Sequence, residues 1–128
     1  MRETDAETLF FFDAHPRALP LCLAFEDRLY AEFPQTQKRV QKTPITYFVR
    51  HVFACLSFAR VRKRSDLPDP WIVITLGLPG ALASERVASQ TEVYRGRWTV
   101  HIVIGDVSEI DGELFSWVRA AYEFANAR

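Results

Sequence analysis

Trp98-Thr99-Val100-His101-Ile102-Val103-Ile104 alternates an aliphatic set, Val100, Ile102 and Ile104, with a mixed one, Thr99, His101 and Val103. Successive side chains of an extended chain point to opposite faces of a sheet, so the run reads as a strand with one hidden side and one side of another character. Two upstream runs repeat the pattern. Trp71 to Leu76 sets Ile72, Ile74 and Leu76 against Trp71, Val73 and Thr75, and Val52 to Phe58 sets Val52, Ala54, Leu56 and Phe58 against Phe53, Cys55 and Ser57. Gln37 to Lys42 and Ile45 to Val49 complete five predicted strands, with Arg50 and His51 as a tight hairpin between the second and third.

The flanks read as helices. Thr4 followed three positions later by Glu7 is a capping-box signal, and Leu9, Phe10, Phe11 and Phe12 give that short helix an apolar end. Pro16 suits a first helical turn, and Ala18, Cys22, Phe25, Leu29 and Phe33 recur at helical spacing to about Phe33. Pro20 requires either a kink or a start nearer Leu19. A closing helix begins near Ser108, whose spacing to Asp111 again suggests a capping box, and Ile110, Leu114, Trp117, Val118, Ala121 and Phe124 form its apolar stripe. Arg60 to Pro70 is a long basic, then proline-rich connection. Gly77 to Ser89 is a second, with a helical turn around Ser84 to Ser89, and Arg95-Gly96 makes a turn. The prediction is one α+β domain: a mostly antiparallel sheet of about five strands with N- and C-terminal helices on its aliphatic face.

The size and make-up of the chain agree. It has 128 residues, 48% hydrophobic and 25% charged, with five glycines, which supports one buried core and excludes disordered and collagen-like classes. No run nears about 18 apolar residues, and Glu3, Asp5 and Glu7 replace the basic start of a secretory leader, so a cytoplasmic protein is expected. Cys22 and Cys55 make no paired-cysteine motif and read as reduced, buried residues; neither metal nor cofactor is implied. Sixteen basic and sixteen acidic side chains cancel, but unevenly. Phe33 to Ser65 carries eight cations and no anion, so this segment is +8 and the remainder −8. Such a field draws a small anion or an acidic protein to one side, while the acidic remainder disfavours a long nucleic acid.

The mixed sheet face mingles rings with polar groups, as a shallow binding surface does; cover by the Phe-rich first helix or by a second copy is the plainer explanation. His101 lies there and is the titratable residue best placed for proton transfer or a hydrogen bond, against the commoner structural role of a strand histidine. Lys42 and Arg97 form a candidate anion clamp, although charges on edge strands also serve to discourage aggregation. Tyr47 and Trp71 supply stacking surface. Arg60, Arg62, Lys63 and Arg64 read by default as a solvated loop, and Gly77-Leu78-Pro79-Gly80 lacks the lysine and hydroxyl of a phosphate loop.

Arg39 to Tyr47 (RVQKTPITY), Val52 to Phe58 (VFACLSF), Gly96 to His101 (GRWTVH) and Trp117 to Ala125 (WVRAAYEFA) occur in order along the chain. Together they resemble a family of small uncharacterised bacterial domains, labelled a domain of unknown function or "putative transport protein", from about Pro16 onward. The resemblance implies a helix, a mostly antiparallel sheet and a closing helix, and marks Gln41, Lys42, Thr43, Arg97, Trp98, Thr99 and His101. Family members often carry histidine at both positions after the threonine; here the first is Val100, which argues against a two-histidine metal role. The resemblance transfers no reaction, and the transport label finds no membrane segment here.

Three functions are weighed. One is a non-catalytic module that binds a small anion or acidic partner through Lys42, Tyr47, Trp71, Arg97 and His101. Another is an enzyme with His101 as general base in a pocket closed by the Arg60 to Pro70 loop. The third is a structural homodimer whose mixed face is an interface of at least about 1,000 Å².

Overall fold

A computed structural model describes residues 5–127. Six strands form one antiparallel sheet: β1 (Gln37–Val40), β2 (Ile45–Phe48), β3 (Val52–Ser57), β4 (Ile72–Leu78), β5 (Val87–Tyr94) and β6 (Arg97–Ile104), in the order β1-β2-β3-β4-β6-β5. Helices α1 (Ala6–Phe11) and α2 (Leu19–Glu32) precede the sheet and α3 (Gly112–Asn126) closes it. The α+β class therefore stands, with one strand more than the five expected. The added strand is β5, which replaces the helical turn predicted around Ser84 to Ser89. It pairs with β6 through the Arg95-Gly96 turn, where Gly96 takes a φ of 81° that suits glycine.

The aliphatic face is the core. Ala54, Leu56, Ile72, Ile74, Leu76, Val100, Ile102 and Ile104 are buried in one cluster with Phe25 and Leu29 of α2 and Leu114, Phe115, Val118 and Ala121 of α3. Two residues assigned to that face by alternation leave it: Val52 is 42% exposed, and Phe58 lies beyond the end of β3. Phe53, expected on the opposite face, is buried against Phe33 and Tyr122. A register shift between Tyr47 and Phe48 explains this exchange. Phe48 pairs with Val52 and Tyr47 with Ala54, so Phe53 is the extra residue of a bulge, and a bulge re-aims its side chain.

The helix starts also differ from the sequence reading by a few residues. Thr4 lies outside the described residues, and Asp5 caps α1 by accepting a hydrogen bond from the Thr8 amide at 2.7 Å. Pro16–Ala18 forms a 3₁₀ turn, so α2 starts at Leu19 and Pro20 falls in its first turn, where no backbone donor is lost. Ser108 lies within another 3₁₀ turn, Val107–Glu109, whose capping box joins Asp106 and Glu109; Asp111 caps α3. Arg86 fastens the start of β5 to this corner, donating to Asp111 at 2.9 Å, Glu113 at 3.0 Å and the Glu109 carbonyl at 2.6 Å.

Gly105, just past β6, lies beneath the proline-rich connection. A Cβ there would stand 2.5 Å from Cγ of Pro68, whose closed ring cannot swing aside. Gly105→Ala is expected to destabilise the fold by about 1–3 kcal/mol, read as a lower urea midpoint; an unchanged midpoint would mean that the connection shifts freely.

Candidate functional site

The other sheet face carries a polar row across all six strands. Strand pairing lines up Arg39, Thr46, Cys55, Thr75, His101 and Ser89. Within it, Thr75 Oγ1 and His101 Nδ1 are 2.8 Å apart, which fixes the imidazole and leaves Nε2 as the nitrogen for a ligand. Partial burial holds the His101 pKa below the ordinary histidine value, so the ring is neutral at neutral pH. Burial pushes the Cys55 thiol up, the opposite of what an activated nucleophile needs.

Above this row lies a cleft of about 570 Å³. Its polar lining is His15, Lys42, Thr43, Cys55, Ser57, Thr75 and His101, and its apolar lining is Phe11, Pro44, Phe58 and Ala59. Helix α1 contacts β1, at the edge of the sheet, and contributes Phe11 to the cleft. Phe58 organises that wall. His15 stacks on it at 4.1 Å, Phe11 lies near-parallel at 5.8 Å, and Phe12 and Trp71 meet it edge-on at 5.5 Å. Phe10, by contrast, is 81% exposed. Lys42 and Thr43 belong to the β1–β2 turn, closed by a hydrogen bond from the Gln41 amide to the Pro44 carbonyl.

Of the five residues proposed from sequence as ligand contacts, Lys42 and His101 share this cleft. Trp71 lines a neighbouring cavity of about 180 Å³ with His15, Arg17 and Asp69. Tyr47 is a correction: it is fully buried on the helix side, its hydroxyl donating to Glu26 at 2.7 Å, so it offers no stacking surface. The Lys42–Arg97 clamp is a second correction. Arg97 sits six strand residues from Val103, roughly 20 Å along β6 from the end of the sheet where the Lys42 turn lies. Its guanidinium instead passes over Gly77 and lies 6.0 Å from the Phe124 ring.

Thr75, Ser57, His15 and Phe11 are among the cleft residues that escaped the sequence reading of the site. Thr75 and Ser57 had a usable signal, since alternation already placed them on the His101 face. His15 and Phe11 had none, because their place depends on how α1 and the turn after it fold back on Phe58. Among the described residues no cluster of three or more histidine, cysteine or acidic side chains could hold a metal, and no helix is long and apolar enough to cross a membrane.

Residues 8–125 match the family described as Domain of unknown function (DUF5655). The chain belongs to this family. The DUF5655 match spans both the sheet and all the described residues that line the cleft. No curated protein and no solved structure matches the chain.

Proposed function

We propose that this DUF5655 domain is a binding module that takes a small anion in the cleft over Cys55, Thr75 and His101. The supporting observation is the lining itself: Lys42, His15 and His101 share the cleft with the hydroxyls of Thr43, Ser57 and Thr75, and no carboxylate is among the lining residues. Of the eight cations of Phe33 to Ser65, Lys42 lines the cleft and Arg60 directly follows the lining residue Ala59. Lys38 is drawn into ion pairs with Glu26 and Asp5, but among the described residues Lys42, Arg60, Arg62, Lys63 and Arg64 have no ion-pair partner. A charge-assisted contact to Lys42, with neutral donors from the floor, is the recognition such a lining affords.

Binding is favoured over catalysis because His101 pairs with Thr75, and the nearby Cys55 thiol is held protonated by burial. Calorimetric titration with inorganic phosphate and small carboxylates tests the reading. Lys42 is exposed and its replacement leaves the fold intact, so Lys42→Ala is expected to weaken binding about tenfold, or ~1.4 kcal/mol. Equal affinity in wild type and variant would remove Lys42 from the site; no binding of any anion would remove the reading.

A further inference from the structure

Resting on that reading, we infer that the anion is a phosphate ester that also bears a flat heteroaromatic ring, as in a nucleoside monophosphate. The cleft has two unlike kinds of lining. One is a wall of rings held nearly parallel, His15 at 21° and Phe11 at 23° to Phe58. A bare anion would gain nothing from the ring faces of that wall, whereas a heteroaromatic ring stacks on such surfaces whatever its substituents. The other is cationic: exposed Lys42 lines the cleft, and after Ala59, also in the lining, the chain runs directly into Arg60, Arg62, Lys63 and Arg64.

The floor supplies directional partners. Ser57, Thr75, His101 and Thr43 can donate to or accept from the edge of a base or the hydroxyls of a sugar. The volume of about 570 Å³ lies within the range of small-molecule sites. A chain of nucleotides is the poorer fit, because the rest of the molecule carries −8 and would repel phosphates leaving the cleft.

Calorimetry with four probes tests the inference: adenosine 5′-monophosphate, ribose 5-phosphate, adenosine and inorganic phosphate. The nucleotide is expected to bind about tenfold more tightly than ribose 5-phosphate, the stacking share, and more tightly than adenosine, the charge share. Phe11→Ala should erase the advantage over ribose 5-phosphate while leaving ribose 5-phosphate unchanged, and Phe11→Leu, which keeps apolar bulk should the alanine variant misfold, should do the same. Equal affinity for the nucleotide, ribose 5-phosphate and inorganic phosphate would overturn the ring inference and leave the anion reading standing. Failure of every phosphate would overturn the inference, and failure of the small carboxylates as well would overturn the anion reading. A short single-stranded oligonucleotide that binds far more tightly than the mononucleotide would overturn it in favour of a polymer site.

Discussion

Glu26→Ala is expected to lower unfolding stability by about 3–5 kcal/mol, because it breaks a buried ion pair and leaves the other charge behind. Glu26 is 7% exposed although it is an acid on the inner side of α2. It accepts from the Tyr47 hydroxyl at 2.7 Å and pairs with Lys38 at 2.9 Å, and the Lys38 side chain is itself only 12% exposed. Without the carboxylate, the buried Tyr47 hydroxyl loses its acceptor and the half-buried Lys38 ammonium keeps only Asp5. Burial pulls the Lys38 pKa down, but the hydrogen bond and charge of Glu26, with Asp5, outweigh it and leave the pKa raised. The sign follows: a raised lysine pKa means that the pair contributes fully below the unfolded lysine value, about 10.4, and fades as pH climbs through the higher folded value. Urea unfolding of Glu26→Ala and of Glu26→Gln at neutral pH is the check, with the glutamine variant, which keeps the Tyr47 hydrogen bond, losing less. A loss under about 1 kcal/mol for the alanine variant would mean that water already reaches the pair. The effect should extend to the cleft, because Lys38 also holds Asp5, the cap of α1, at 3.3 Å.

Phe58→Ala carries the second large effect. Four rings meet Phe58, and three of them, Phe11, Phe12 and His15, come from α1 and the turn that follows it. Truncation removes a large, partly buried ring and the contacts that moor α1 to the sheet, for an expected loss of about 2–4 kcal/mol. Affinity for adenosine 5′-monophosphate should fall by more than about tenfold, since Phe11 and His15 lose their support. Amide exchange separates this from general weakening: the α1 amides should lose protection while those of β4 and β6 exchange only through global opening. If α1 stays as protected as in the wild type, Phe58 does not hold the wall.

What the sequence reveals here is periodicity, and its gaps are tertiary. Alternation in β4 and β6 placed Ile74, Ile102 and Thr75, His101 on their observed faces. β5 went unread because an edge strand such as Val87–Tyr94, exposed over much of its length, has no hidden side to mark it. Its register with β6 and the Arg86 anchor to α3 hold it in place. Tyr47 has the polar tip of a surface residue, but its partner Glu26 comes from a helix 21 positions away, a distance at which no local pattern reports. For Arg97, alternation gives the face of a side chain but not its distance from Lys42. That requires the strand order and register, with β6 placed between β4 and β5.

The account turns on whether an anion enters the cleft beside His101. The direct measurement follows the His101 ring signals by NMR through a pH titration, with and without inorganic phosphate. In the free protein the midpoint should lie below the ordinary histidine value, as burial dictates. A phosphate next to the ring favours the imidazolium, so its addition should move the midpoint upward and tighten binding as pH falls. A His101 midpoint that stays where it was at saturating phosphate would place the anion elsewhere and contradict the account.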